Sequence, residues 1–294
     1  MGACGNGDEP AAAVQETPQE STFPVTLDAP NGSLTIEAEP EAIVSLSSPA
    51  TESLFAIGAG DQVIAADETS NYPPEAPTTD LSGYQPNIEA IAGYGPDLVI
   101  ASDDLGDLVA SLEKLSIPVL LQPAATSLDD TFAQIEQLGE ATGHVEEAEA
   151  LVDEMTSEID GIVADAPELD EPLTYFHELD TTYFTVTSAT FIGGIYDLLG
   201  LENIADEAPK AGTGYPQLSE EFIIDADPDL IFLADTKCCD QDGAVVAARP
   251  GWDQIAAVQN DQVIELDDDI ASRWGPRVVD FLRIVADAVA EASG

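Results

Sequence analysis

The chain has 294 residues, 44% of them hydrophobic, which suits two domains of ordinary size with cores of their own. Its 58 Asp and Glu stand against 7 Lys and Arg, a formal net charge of −51 that repels nucleic acid and anionic lipid headgroups. No run of about 18 apolar residues occurs, so no helix is long and apolar enough to cross a membrane.

High charge alone would suggest disorder, but the acids are interleaved with periodic Val, Ile, Leu and Phe beyond the first twenty or so residues. The expectation is a folded protein adapted to salty water, where counterions screen self-repulsion. The opening MGACGNGDEPAAAVQETPQE is different. Gly2-Ala3-Cys4 resembles the end of a bacterial lipoprotein signal, with Cys4 the lipidated residue behind an added Met1. Residues 1–21 then read as a small, polar tether. The other reading is a frayed tail with an incidental Cys.

The folded part opens with FPVTLDAPNGSLTIEA, where Asn31-Gly32 between alternating runs signals a hairpin. Ala42–Leu46 reads as an apolar strand, Ser47-Ser48-Pro49 as a cap and first helical turn, Gly58 as the stop, and Gln62–Ala66 as a second buried strand. Strand, helix and strand in that order mark a parallel sheet. PNIEAIAGYGPDLVIA repeats the pattern with a short helix and the strand LVIA, and IPVLLQP adds another strand. Residues 145–163 place Val145, Ala148, Val152, Met155, Ile159 and Ile162 on one helical stripe, a rod of about 28 Å.

A second copy follows. YFTVTSATFIGGIYDLLGLENIAD predicts strand, Ser/Thr turn, helix, Gly200 and strand. Aligned without gaps, Ser82–Asp104 and Gly214–Thr236 agree at 7 of 23 positions, among them Gln85 with Gln217, Glu89 with Glu221, and Pro96-Asp97-Leu98 with Pro228-Asp229-Leu230. Repetition at domain size predicts an α/β protein of two Rossmann-like lobes with mainly parallel sheets, joined by a single long helix. The divisions are 22–143 for the N-terminal lobe, 144–166 for the connecting helix and 167–294 for the C-terminal lobe.

Loops leaving the carboxyl ends of parallel strands build binding clefts. Those loops present Tyr72, Tyr84, Tyr183, Tyr215, Arg273 and Trp274. The aromatics offer broad faces and polar edges to a ligand, or pack their own loops. Arg273 in a cleft would favour a ligand bearing carboxylate, phosphate or phenolate groups. Arg277, near a helix start, needs an acidic partner, Asp280 being one candidate, and reads as structural. Adjacent Cys238 and Cys239 can close a vicinal disulfide or remain thiols that bind soft metals. No Cys or His spacing supports a zinc site, and HELDT at His177 has Thr181 where a zinc protease motif needs its second His. His177 is read as following a strand near the cleft, either an axial ligand to haem iron or cobalt or a hydrogen-bonded loop residue. Walker-type and Gly-x-Ser-x-Gly motifs are absent, so no catalytic residue is assigned.

The motifs IVSLSSPATESLFAIGAGDQVIA, NIEAIAGYGPDLVIA, TFIGGIYDLLGLENIA, LSEEFIIDADPDLIFLAD and ASRWGPRVVDFL, in that order, resemble the substrate-binding proteins of ABC importers, in the class whose two lobes share one long helix. The resemblance covers about residues 22–292, with Glu41-Ala42 standing where the family often carries a basic residue. It implies a monomeric extracytoplasmic binding protein, lipid-anchored through Cys4, with no intrinsic cofactor. Its cargo would be a metal chelate, namely a ferric siderophore, cobalamin or haem. It also implies that Glu89 and Glu221, one per lobe, dock into arginines of a permease dimer. A stand-alone binding or sensing module of the same fold is the other function considered.

Overall fold

The computed structural model describes residues 23–169 and 171–294; Cys4 and the tether expected over 1–21 lie outside the described residues. The chain opens on an antiparallel hairpin, β1 (Val25–Ala29) and β2 (Gly32–Ile36), paired from Val25↔Ile36 to Ala29↔Gly32. Its two-residue loop is therefore Pro30-Asn31, one residue earlier than the sequence suggested, with Gly32 adopting φ +115° just after it.

The first lobe is built on β3 (Ile43–Leu46), α1 (Ser48–Ala56), β4 (Val63–Asp67), β5 (Thr78–Leu81), α2 (Ile88–Gly93), β6 (Leu98–Ala101), α3 (Leu108–Glu113) and β7 (Val119–Leu121). Its strands form one parallel sheet in the order β5-β4-β3-β6-β7. All of β3, β6 and β7 is buried, as strands covered on both faces require. Then come α4 (Leu128–Thr142) and α5 (Val145–Asp165), the latter about 31 Å long.

The second lobe contains β8 (Thr174–Glu178), α6 (Phe191–Asp197), β9 (Glu202–Asn203), α7 (Glu220–Ala226), β10 (Leu230–Leu233), the short α8 (Thr236–Cys239), α9 (Gly243–Ala247) and α10 (Ala256–Gln259). β11 (Val263–Glu265), α11 (Asp268–Ser272) and α12 (Val278–Ala292) complete it. Its parallel sheet runs β11-β10-β8-β9. The strand expected in YFTV does not join this sheet; there Phe184 makes only an isolated antiparallel bridge to Gln217. The strand that begins the second copy is β8, and it contains His177.

Side-chain alternation divides the core in three. One face of each sheet, through Ile43, Leu98 and Ile100 in the first and Tyr175, Leu230 and Phe232 in the second, joins a single apolar cluster. Ala148, Met155 and Ile159 of α5 lie in that cluster with Val285 and Val289 of α12. The stripe read in the sequence is thus the seam that unites the halves. The other faces have separate cores, Val44, Val99 and Ile91 in one lobe, Phe176, Ile231 and Ile223 in the other.

The repeated Pro-Asp-Leu has a local cause. Asp97 accepts hydrogen bonds from Glu41 N (2.8 Å) and Ala42 N (3.1 Å), and its own N–H donates to Ala42 O. Asp229 does the same in the second lobe, accepting from Thr174 N and Thr174 Oγ1, both at 2.9 Å, while its N–H donates to Thr174 O. Each Asp fastens the strand it opens, β6 or β10, to the start of its neighbour, β3 or β8.

Candidate functional site

Strands β3, β4 and β6 end at Leu46, Asp67 and Ala101, and the residues beyond these ends line one cavity of about 330 Å³. Ser47, Ser48, Thr69, Tyr84, Ser102 and Asp103 form the first lobe's wall; Asp268, Asp269, Ser272, Arg273 and Trp274 of the second lobe face them. Ser47 occupies the N-cap of α1 but does not cap it; its hydroxyl meets Ser102 Oγ at 2.9 Å. Trp274 is oriented by donation from Nε1 to Gln134 Oε1 at 3.2 Å. A neighbouring cavity of about 630 Å³ is lined by Glu52, Phe55, Tyr72, Pro276 and Arg277. A third, of about 520 Å³, opens between the hairpin and residues 116–119, at the amino ends of the strands and away from this junction.

Glu52 separates the first two cavities. It comes from α1, is 3% exposed, and takes hydrogen bonds from both arginines of the facing lobe. Arg273 Nη1 donates to Glu52 Oε1 at 2.8 Å; Arg277 donates from Nε to Oε2 at 2.9 Å and from Nη2 to Oε1 at 2.6 Å. Arg277 is therefore structural as read, but its partner is Glu52 rather than Asp280, which pairs with Arg283. Arg277 also lies under Tyr72, its guanidinium carbon 4.2 Å from the ring centroid.

The same network engages Arg273. Besides Glu52, it donates to Asn71 Oδ1, Thr69 O and Asp269 Oδ1, at 2.9, 2.8 and 2.7 Å. A guanidinium has four terminal N–H donors, and four acceptors occupy them. Arg273 thus lines the cavity as a wall rather than as a free anion receptor. Asp67 is buried and accepts from Ser70 Oγ, while Asp268 accepts from Thr236 Oγ1, Lys237 N and Cys238 N. Asp103 is exposed. Four carboxylates line this junction against one committed guanidinium and the Lys237 ammonium, which donates to Asp269 Oδ2 at 3.0 Å, so it stays negative, the reverse of the polarity expected from Arg273 alone.

The remaining sequence candidates separate from this junction. Tyr183, at φ +65°, packs against Trp252 and over the Arg249 guanidinium, on the second lobe's outer core. Tyr215 is exposed and lines neither cavity. His177 is fully buried inside β8, not in a loop after it; Nδ1 pairs with Tyr196 Oη at 2.7 Å, and burial lowers its pKa to about 3. It stands among Tyr196 and Phe281 as a neutral core residue, out of reach of a metal chelate in either cavity. Cys238 and Cys239 are joined as a vicinal disulfide in α8. Among the described residues no cluster of three metal-ligating side chains occurs.

Glu89 and Glu221 occupy equivalent positions. Each lies two residues after a capping side chain, Asn87 accepting from Ala90 N and Ser219 from Phe222 N, and both are exposed in the first turn of α2 and α7. Glu52 and Asp269 were missed as site residues. Asp269, four residues before Arg273, had one legible signal, Glu52 had none in its own stretch of chain, and acids are everywhere in this sequence.

Two lobes with parallel sheets, a helix common to both and a cavity at the strands' carboxyl ends are the architecture of a two-lobed binding protein. The chain belongs to the periplasmic binding protein family, whose model matches residues 43–270. The family and the relatives below are binding proteins by their names. The chain is 31% identical over 301 residues to an uncharacterized ABC transporter substrate-binding lipoprotein, YvrC, of Bacillus subtilis, covering 98% of this chain and 92% of that one. It is 31% identical over 290 residues to a cobalamin-binding protein of Halobacterium salinarum, covering 95% and 78%. Among solved structures it is similar to the periplasmic haem-binding protein RhuT of Roseiflexus in apo form, with TM-score 0.74 and 25% identity over 86% of this chain and 99% of that one.

Proposed function

We propose that the chain is the receptor of an ABC importer for a cobalamin-class chelate, held between the lobes and delivered to a permease outside the cytoplasm. The observation that carries the ligand class is the carboxylate-lined junction with its guanidinium already engaged. A ferric tris-catecholate is a triple anion and haem brings two propionates, so both would meet like charge there. A corrinoid is ringed by uncharged amides whose N–H groups suit carboxylate acceptors, and its flat body suits Tyr84 and Trp274. The cobalamin-binding relative of Halobacterium supports the same choice. Tyr72, above Arg277 in the adjoining cavity, extends the aromatic lining; Tyr183 and Tyr215 fit this role less well.

Docking falls to Glu89 and Glu221, matched in register, cap and exposure. A lipid on Cys4 would tether the receptor beside its permease, and a monomer suffices for two such contacts. The test is titration of the purified protein with cyanocobalamin, haemin, a ferric trihydroxamate and a ferric tris-catecholate. Cyanocobalamin should bind tightest. Preference for the catecholate or haemin would refute the ligand class, and binding of none of the four would refute the receptor reading.

A further inference from the structure

Asp67 ends β4 and lines the interlobe cavity, yet it is 2% exposed. Among the described residues its carboxylate has no Lys or Arg partner, and every side-chain donor to it is a hydroxyl. Ser70 Oγ donates to Oδ1 at 2.6 Å. Thr69 Oγ1 donates to Oδ2 at 3.1 Å and to Oδ1 at 3.3 Å. Thr69 Oγ1 in turn lies 2.8 Å from Ser48 Oγ, and Ser48 and Thr69 line the same cavity. Thr69 is also held from the facing lobe, since Arg273 Nη2 donates to its carbonyl at 2.8 Å. Gly83 packs against the carboxylate: a Cβ there would stand 3.1 Å from Asp67 Oδ2 and 2.5 Å from Leu46 O. Asp67 therefore communicates with the cavity through its hydroxyl partners.

We propose that Asp67 is a positioning residue that sets the hydrogen order of this wall through Thr69, so that Ser48 turns lone pairs into the cavity and favours ligand groups bearing N–H. Counting hydrogens fixes the direction. A carboxylate only accepts, so the single hydroxyl hydrogens of Thr69 and Ser70 are committed to Asp67. The contact between Ser48 and Thr69 must then use the hydrogen of Ser48. Ser48 keeps lone pairs and has no hydrogen left for a ligand. Ser102 is committed in the same way, donating to Ser47 Oγ at 2.9 Å; the Ser47 hydroxyl hydrogen has no acceptor among the described residues. The selection of ligand rests on the corrinoid reading and sharpens it. The N–H groups of a carboxamide meet the Ser48 lone pairs, whereas a carboxylate or phenolate brings lone pairs against lone pairs. An amide in place of the Asp67 carboxylate would present N–H as well as C=O, and the order would no longer be fixed.

Neutron diffraction from deuterium-exchanged crystals of the full chain reads the order without any ligand. The Ser48 deuterium should lie on the line to Thr69 Oγ1, and those of Thr69 and Ser70 on the lines to Asp67. A Ser48 deuterium turned into the cavity, or a deuterium on Asp67, overturns the proposal. Titration with cyanocobalamin reads the consequence. Thr69→Val keeps the shape and breaks the chain, and should weaken binding about fivefold or more; Ser48→Ala should do the same. The two together should cost no more than Ser48→Ala alone, and Thr69→Ser should bind as the native protein does. Native affinity in Thr69→Val, or losses that multiply in the double variant, refutes the link to ligand choice. Failure of the native protein to bind cyanocobalamin counts against the corrinoid reading, while the neutron map still judges the hydrogen order.

Discussion

Replacing Asp235 with Asn probes a buried carboxylate of the second lobe whose charge its surroundings oppose. Burial, and then the adjacent Glu178 carboxylate, raise the Asp235 pKa from 3.8 to about 7. The groups facing it are Glu178, which is tied to Arg249 Nη1 at 2.6 Å, Arg249 itself, and Asp268. Because the folded pKa lies above the unfolded one, the native state binds the extra proton between those two values. Stability therefore falls as pH rises through that window and stays low above it. A displacement of about three units sets a ceiling of roughly 4 kcal/mol. Local relaxation and partial solvation relieve part of it, so we expect about 2 kcal/mol. The isosteric amide cannot ionise and presents an N–H, rather than a second negative charge, beside Glu178. Urea unfolding in about 1 M NaCl should find the two proteins nearly equal near pH 4, with Asp235→Asn about 2 kcal/mol more stable near pH 8. Parallel curves at all pH values, or a variant weaker throughout, would refute the reasoning.

Glu52→Ala leaves two buried guanidinium groups facing each other at the lobe junction, and should destabilise the protein by about 3 kcal/mol in urea melts; a loss below about 1 kcal/mol would show that Asp269 and Tyr72 suffice to hold the arginines. With a net charge of −51, the melting temperature should rise from dilute buffer to molar NaCl, and equal melting in both would end the salt-adaptation reading. Glu89→Lys with Glu221→Lys should abolish uptake in cells while leaving cyanocobalamin affinity unchanged; loss of binding would refute the docking assignment.

Local signals carried most of the fold. Asn87, Ser219 and Thr190 cap the helices that their sequences announce, and the all-apolar runs LVIA and LIFL are fully buried strands. The same locality explains the errors. YFTV has strand-like composition, but β8 fills the place beside β10, which left Tyr183 a turn with positive φ. His177 was placed after the strand because a histidine and a glutamate look like loop residues. Inside β8 they are accommodated by Tyr196 and by Arg249, partners 19 and 71 residues away. Arg277 was paired with an acid on its own helix, whereas Glu52 is 225 residues earlier. In a chain with 58 acids, proximity in sequence says little about which one an arginine chooses.

The two copies are held alike where a rigid separation matters and differ where cargo would be recognised. Asp97 and Asp229 lash equivalent strands together just past α2 and α7, so each exposed glutamate is carried by a helix whose following strand is pinned. The cluster through α5 and α12 joins the two sheets, and the Glu52 bridge fixes the junction from the other side. If Glu89 and Glu221 dock as proposed, such stiffness helps, since a contact already positioned loses little freedom on docking. Position 103 and position 235 show the opposite tendency, one aspartate open to the cavity and its counterpart buried. On this view duplication would have supplied the matched outer surface, and the inner surface was free to diverge. Substitutions in α2 and α7 should then affect transport alone, while those at Asp103, Asp268 and Trp274 should change which chelate is held.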